Sequence, residues 1–258
     1  RQMCIRDRVI PYSKQEISKD DIRAVNEVLR SDFLTTGPKV TEFEKECLTY
    51  FNSKFSLSFN SATSALHIGC LALGLKQNDI VWTSSISFVA SANCALYCGA
   101  SIDLVDIDNK TFNICDIKLE EKLYEAKKNN RLPKVLVVVH LAGLPCNMSK
   151  IKKLSKEYNF KIIEDASHAV GSSYKNSTIG DCKYSDMTIF SFHPVKIFTT
   201  GEGGMILTNS KDIAQKAELY RSHGITRNRN FFINKDDSPW IYEQQVLGFN
   251  YRMTDIAA

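Results

Sequence analysis

Short apolar segments alternate with longer segments of helical periodicity along most of the chain, and this alternation limits the fold more than any other feature. The most apolar segment, 134–140, contains Val135–Val139 and is expected to be a strand buried on both faces. Such strands occur in parallel sheets that carry helices on both sides, so the predicted fold class is α/β. Strands are predicted at 56–59, 80–83, 101–105, 134–140, 160–164, 188–192 and 205–208. Helices are predicted at 18–29, 40–51, 62–73, 88–97, 117–128, 148–158 and 212–222.

Composition narrows the functional class. The net charge of +4 is small and no dense Lys/Arg cluster occurs, so nucleic-acid and membrane-surface roles receive little support. No apolar run approaches the length of a membrane span. The eight cysteines are scattered and form no C-x-x-C pair, which indicates buried thiols in a reducing compartment rather than disulfides or a zinc site. A cytoplasmic location is therefore expected.

The two ends of the chain differ from the rest. Residues 1–8 have no periodicity and are predicted to be a non-native segment, whereas 9–258 are predicted to form one large domain. Residues 227–238 are polar and irregular, as in a surface loop. The last six residues, 253–258, are typical of the opening of a helix with Thr254 or Asp255 near its cap. The domain is therefore expected to be truncated at its C-terminus.

The functional prediction rests on Asp165 and Lys196. Asp165 follows the apolar run 160–164, and Lys196 lies 31 residues later, just before the Gly/Thr-rich turn 199–204. Pyridoxal phosphate requires a lysine that forms a Schiff base and a carboxylate that keeps the ring nitrogen protonated. A lysine near apolar residues has a lowered pKa and supplies a free amine. The alternative is an exposed loop lysine, the commoner case, but glycines that let backbone approach a ligand favour the cofactor.

Other polar and aromatic residues fall at the same predicted edge of the sheet. The segment 60–64 lies at a strand-to-helix junction, where backbone N–H groups and hydroxyls can hold a phosphate. Capping by Ser61 is the commoner explanation of such a segment. Ser191 is a second candidate phosphate ligand. Phe88 begins the next helix and either stacks on a flat cofactor ring or packs on the core.

Asp165 and His168 are three residues apart, in a predicted turn that enters a short helix, and can face one ligand. Asp165 is then the partner of the ring nitrogen, and His168 packs against the ring. The alternatives are that Asp165 only caps a helix and that His168 is structural.

Together these residues resemble the DegT/DnrJ/EryC/StrS family of sugar-nucleotide aminotransferases, which are fold type I pyridoxal-phosphate enzymes. The resemblance covers the chain from Val9 to Ala258, and five segments occur in the order found in the family: 34–38 (LTTGP), 60–66 (NSATSAL), 164–169 (EDASHA), 191–196 (SFHPVK) and 201–204 (GEGG). It implies a mixed, mostly parallel sheet flanked by helices. It also implies a small C-terminal domain that is largely missing here.

The resemblance assigns roles around the cofactor ring. Lys196 is the catalytic lysine that bears pyridoxal 5'-phosphate, and Asp165 pairs with the ring nitrogen. Phe88 and His168 flank the ring.

The resemblance also implies how the cofactor phosphate is held. Ala62, Thr63 and Ser191 bind it from the same subunit, and Asn250 reaches it from the neighbouring subunit. The implied assembly is a homodimer with shared active sites.

Three segments are most similar to the pseudaminic acid branch of the family: 193–196, 221–227 and 240–245. The implied reaction moves the amino group of L-glutamate to C4 of a UDP-linked 4-keto-6-deoxy-N-acetylhexosamine. His193, Arg227 and Tyr242 are candidate substrate contacts, although exposed loop arginines are usually only solvated.

Four alternatives to this reaction remain. The first is an aminotransferase for another nucleotide-linked 4-keto sugar. The second is a sugar dehydratase of the same fold, which is disfavoured because those relatives carry histidine where this chain has Lys196. The third is a non-catalytic regulator that binds pyridoxal phosphate, and the fourth is an α/β domain without a cofactor.

Overall fold

The computed structural model describes residues 13–233 and 240–258. The α-helices within these residues are α1 (Lys19–Leu29), α2 (Pro38–Phe51), α3 (Ala62–Ala72), α4 (Ala90–Tyr97), α5 (Asp116–Lys128), α6 (Met148–Tyr158) and α7 (Lys211–Arg221). The strands are β1 (Phe55–Phe59), β2 (Ile80–Ser84), β3 (Ser101–Val105), β4 (Val135–Val139), β5 (Lys161–Asp165), β6 (Ser173–Tyr174), β7 (Ser177–Thr178), β8 (Met187–Ser191), β9 (Gly204–Thr208), β10 (Ile225–Thr226) and β11 (Glu243–Gln244).

Seven strands form one mixed sheet in the order β1-β9-β8-β5-β4-β2-β3. Neighbouring strands are parallel, except that β9 runs antiparallel to both β1 and β8. The last residues of β1, β4, β5 and β8 therefore meet the first residue of β9 at one edge of the sheet. Gly204 pairs there with both Phe59 and Ser191. The prediction of a mixed, mostly parallel α/β sheet is confirmed.

Helices cover both faces of the sheet. On one face, Val137 and Ile163 are fully buried against α3, α4 and α7. On the other face, Leu136 and Ile162 are fully buried against α5 and α6. All five residues of β4 are buried, which confirms the expectation for Val135–Val139.

The helix and strand predictions hold to within about two residues. The clearest difference lies at α4, which was predicted from Phe88 but begins at Ala90, because the residues before it form a turn. Helix α1 begins after its predicted cap, Ser18, which accepts the N–H of Asp21 at 3.1 Å. The predicted loop 227–238 is described as far as residue 233; this part is largely exposed and contains a 3-10 turn, Arg229–Phe231. Residues 234–239 lie outside the described residues, and so does the predicted non-native segment 1–8.

The last residues of the chain form a turn beside α2. The hydroxyl of Thr254 accepts the N–H of Ala257 at 3.1 Å, and the carbonyl of Thr254 accepts the N–H of Ala258 at 3.0 Å. This is the geometry of a capped first helical turn, as predicted. The carboxylate of Asp255 instead accepts the N–H groups of Gly37 and Lys39, at 2.7 and 2.8 Å, and so caps α2.

No helix among the described residues is long and apolar enough to cross a membrane.

Candidate active site

A cavity of about 530 Å³ opens at the sheet edge where β1, β4, β5, β8 and β9 meet. It is lined by most of the residues that the sequence singled out: Ala62, Thr63, Phe88, Asp165, His168, Ser191, His193 and Lys196. Ligands in open α/β sheets bind beyond the carboxyl ends of the strands, so both the place and the residues mark this cavity as the candidate active site.

Asp165 is the buried acid of the cavity, with only 4% of its surface exposed. Its Oδ2 accepts the hydroxyl of Ser91 at 2.5 Å. Its Oδ1 accepts both the hydroxyl and the N–H of Ser167, at 2.7 and 3.2 Å. The residues that follow Asp165 form a turn rather than the expected short helix, so helix capping does not explain this carboxylate.

Lys196 lies in the loop that connects β8 to β9. Its N–H donates to the carbonyl of His193 at 2.9 Å, which fixes the backbone there. Its Nζ lies 3.0 Å from Nε2 of His168. Burial lowers the pKa of the Lys196 amine, and the negative charge of Asp165 acts in the opposite direction. The amine therefore loses its proton more readily than that of an exposed lysine.

His168 stands beside Lys196 and is also partly buried. Burial lowers the pKa of its imidazole, and the charge of Lys196 lowers it further, while Asp165 opposes both effects. Its Nδ1 accepts the N–H of Ala142 at 3.3 Å. The ring is therefore held on one side by backbone and on the other by the lysine.

Phe88 lies at the mouth of the cavity and is 66% exposed. Such exposure excludes the interpretation of Phe88 as a core residue. The aromatic face is available to a flat ring in the cavity.

The opposite end of the cavity is the N-terminus of α3. Ser61 caps this helix by accepting the N–H of Ser64 at 3.1 Å, so the capping interpretation is confirmed. Capping leaves the first N–H groups of the helix, at Ala62 and Thr63, without intrahelical acceptors. These groups can bind an anion, because they point out of the positive end of the helix.

Close packing of β9 against α3 shapes this end of the cavity. A Cβ atom on Gly204 would lie 2.4 Å from the nitrogen of Ala62, so only glycine permits the approach. The buried Ser191 adjoins Gly204 in the sheet. Anion donors at one end and a carboxylate and an amine at the other match the phosphate, ring nitrogen and aldehyde of pyridoxal phosphate.

Three predicted site residues do not line the cavity. Arg227 and Tyr242 flank the hairpin formed by β10 and β11, which holds both of them at the surface. Their contact with the diphosphate or uridine part of a substrate stays a prediction. Asn250 is exposed, and it was predicted to act on the cavity of a neighbouring subunit rather than on its own.

The sequence did not single out Ser91, Ser167 or Glu202. Ser91 lies three residues after Phe88, a spacing that would place both on one side of the predicted helix 88–97. Ser167 lies two residues after Asp165, where a serine commonly bonds back to an aspartate. Glu202, whose Oε1 is 3.9 Å from Nε2 of His193, lines the cavity from the Gly-rich turn.

Comparison with known proteins identifies the family. Residues 15–258 match the model of the DegT/DnrJ/EryC1/StrS aminotransferase family. The chain is 42% identical over 249 residues to the UDP-4-amino-4,6-dideoxy-N-acetyl-beta-L-altrosamine transaminase of Campylobacter jejuni subsp. jejuni serotype O:23/36 (strain 81-176). That alignment covers 96% of this chain and 62% of the relative.

Solved structures agree with this match. PseC of Helicobacter pylori, an aminotransferase involved in the biosynthesis of pseudoaminic acid, superposes with a TM-score of 0.83 at 34% identity, over 96% of this chain and 62% of that one. The PLP form of the putative sugar aminotransferase Spr1654 of Streptococcus pneumoniae superposes with a TM-score of 0.81 at 29% identity, over 96% and 64%. The chain thus spans less than two thirds of the length of each of these relatives. It belongs to the DegT/DnrJ/EryC1/StrS aminotransferase family, and its cofactor is pyridoxal 5'-phosphate.

Proposed function

We propose that this chain supplies the active site of an aminotransferase that moves the amino group of L-glutamate to C4 of a UDP-linked 4-keto-6-deoxy-N-acetylhexosamine, in pseudaminic acid biosynthesis. The observation that carries the proposal is the meeting of Lys196, His168 and Asp165 in one cavity. The substrate is taken from the Campylobacter jejuni relative, whose name states that it is a UDP-sugar transaminase.

Each end of the cavity has a role in this proposal. When bound, pyridoxal phosphate supplies an aldehyde that condenses with amines and a protonated ring that withdraws electrons. Nζ of Lys196 holds the cofactor covalently and, once free, takes up and returns a proton. Asp165 holds a proton at the ring nitrogen, and its hydrogen bonds from Ser91 and Ser167 keep the carboxylate oriented.

The remaining residues position the cofactor. The N–H groups of Ala62 and Thr63 and the hydroxyl of Ser191 bind its phosphate. Phe88 and His168 flank its ring.

A homodimer completes the proposed site. Asn250 is exposed and absent from the lining of its own cavity, so the copy in a second subunit is free to reach the cofactor phosphate. His193 remains the proposed substrate contact within the cavity. The proposed location is the cytoplasm, and it is supported by the free thiols of all seven cysteines in the described residues.

A covalent-trapping experiment tests the cofactor site. The protein is incubated with pyridoxal phosphate, reduced with borohydride, digested and analysed by mass spectrometry. The proposal expects the adduct on Lys196. An adduct on another lysine, or none, would refute the assignment.

Isotope transfer tests the reaction. Incubation with 15N-glutamate and a panel of UDP- and GDP-linked 4-keto sugars should place the label on the UDP-linked 4-keto-6-deoxy-N-acetylhexosamine. Transfer to a GDP-linked sugar alone would favour the alternative aminotransferase. Cofactor binding without transfer to any sugar, together with no release of 2-oxoglutarate, would favour a regulator.

A further inference from the structure

The peptide N–H of Ala142 holds a defined position against His168. Ala142 lies in the 3-10 turn Leu141–Gly143 after β4 and has left-handed backbone angles, φ +51° and ψ +24°. This uncommon conformation for a residue with a Cβ points its N–H at Nδ1 of His168, 3.3 Å away. The same turn is fixed on its other side, because Ser172 donates to the carbonyl of Gly143 at 2.7 Å.

That contact determines which nitrogen of His168 carries the proton. A ring nitrogen that accepts a hydrogen bond has no proton of its own, so the neutral imidazole carries its proton on Nε2. Nε2 lies 3.0 Å from Nζ of Lys196. An ammonium group has three N–H donors and no acceptor. If Lys196 were charged, its N–H donors would therefore face the Nε2–H donor of His168, and no hydrogen bond could form. An uncharged amine has a lone pair that can accept the Nε2–H.

We infer that the N–H of Ala142 fixes His168 as the Nε2–H tautomer, and that His168 thereby donates a hydrogen bond to the uncharged amine of Lys196. His168 is thus a positioning residue for the lysine, in addition to its proposed place beside the cofactor ring. This inference deepens the proposed function and rests on it in one respect: the proposed function requires an uncharged amine on Lys196.

The other charged groups around Lys196 have partners of their own. The carboxylate of Asp165 favours an ammonium, but Ser91 and Ser167 already donate to both of its oxygens. Nδ1 of His193 accepts the N–H of Val195 at 3.3 Å, and its Nε2 faces the largely exposed Glu202. His168 is therefore the side chain that remains to pair with Nζ, 3.0 Å away. Burial lowers the pKa of both Lys196 and His168 and so shifts each group towards its neutral form.

Two measurements on the full chain test the inference after hydroxylamine treatment has released bound cofactor. The first is 15N NMR of labelled histidines, with the signal of His168 assigned by its loss in His168→Phe. We expect a protonated Nε2 and an unprotonated Nδ1 near neutral pH. The reverse tautomer, or a doubly protonated ring, would overturn the inference.

The second measurement is the pKa of Lys196, taken from the pH dependence of its acetylation rate by quantitative mass spectrometry. His168→Phe keeps an aromatic ring but removes the donor, so we expect the pKa of Lys196 to rise by about one unit, a tenfold change in its acid dissociation constant. His193→Phe, in the same cavity but without contact to Nζ, is the matched control and should change the pKa much less.

An unchanged or lowered pKa in His168→Phe would also overturn the inference, because a charged Lys196 that donates to Nε2 would lose a stabilising acceptor. If His168→Phe does not fold, the NMR result on the unchanged chain still decides. Neither measurement depends on amino transfer. A protein with the expected tautomer and pKa but no transfer would contradict the proposed function and leave this inference standing.

Discussion

The hydroxyl of Ser91, in α4, lies 2.5 Å from Oδ2 of Asp165, at the end of β5. Ser91 is completely buried, and both oxygens of Asp165 accept donors from the protein. A buried carboxylate that accepts several hydrogen bonds is held in one orientation. Ser91 therefore fixes the acid of the site from the helix that covers this face of the sheet.

Ser91→Ala should lower the turnover number about tenfold, because a hydrogen bond to a charged group contributes roughly 1.5 kcal/mol or more. The measurement is the rate of amino transfer at saturating substrate, with thermal unfolding as a check on folding. The control is Ser85→Ala. Ser85 is exposed and lies between β2 and α4, so this variant should retain full activity. Equal activity of the two variants would contradict a role for the Ser91 contact.

Lys196→Ala should abolish covalent attachment of pyridoxal phosphate and reduce turnover to background. No other lysine lines the cavity within the described residues, so no second amine is placed to replace it. The visible spectrum with added pyridoxal phosphate and the isotope-transfer assay measure the two effects. Normal turnover by the alanine variant would refute the assignment of Lys196.

Asp165→Asn should keep the covalent adduct on Lys196 but slow transfer on the order of a hundredfold to a thousandfold, the usual cost of removing one electrostatic contact to a transition state. The amide has nearly the shape of the carboxylate but cannot hold a protonated ring nitrogen. Borohydride trapping and single-turnover rates separate binding from transfer. A variant that traps no cofactor would instead assign Asp165 to binding alone.

Gly204→Ala should weaken cofactor binding about tenfold or more, because the new methyl group would lie 2.4 Å from the nitrogen of Ala62 and displace the N-terminus of α3. Overpacking should also cost about 1–3 kcal/mol of stability. Gly201→Ala is the control: no atom lies within 4 Å of its added Cβ, so only its left-handed backbone, φ +79°, is strained. Cofactor titration should show weak binding in the first variant and near-normal binding in the second.

The pH dependence of stability should report the burial of Lys196. The pKa of Lys196 in the folded chain lies below the ordinary value of 10.5. At a pH between the folded pKa and 10.5, Lys196 is therefore more protonated in the unfolded chain than in the folded one. The cost of burying the charged amine is complete below the folded pKa and disappears as the pH rises towards 10.5. Relative to Lys196→Met, the unchanged chain should therefore gain stability with rising pH.

Urea unfolding of both proteins, from neutral pH to pH 10.5, measures this difference. Groups that titrate in both proteins cancel in the comparison. A difference that stays constant across the range would show that the amine has an ordinary pKa.

Local patterns were sufficient for most of the fold. Helix α6 has its predicted bounds, because apolar residues at helical spacing mark its buried face. The direction of β9 is different: the segment Gly204–Thr208 is as apolar as a parallel strand, and nothing within it specifies antiparallel pairing. Its direction follows from the link between β8 and β9, which contains no crossover helix.

Local patterns also revealed some features of the candidate site but not others. Asp165 and Lys196 could be found because each lies beside a strand end in the sequence. The contact between Ser91 and Asp165 depends on how α4 packs on the sheet, and no local pattern contains that information. The position of Tyr242 at the surface likewise depends on the pairing of β10 with β11, which no local pattern specifies.

The pairing of β1 with β9 sets the order in which the protein can assemble during synthesis. About 150 residues separate these two strands, and β9 is the one strand that pairs with β1 in the described sheet. At translation speeds of roughly 5 to 20 residues per second, about 7 to 30 s pass between the synthesis of β1 and that of β9. Throughout that delay the nascent chain carries an open β-edge next to Asn60, and an unpaired edge of this kind is where protection by a chaperone is most useful.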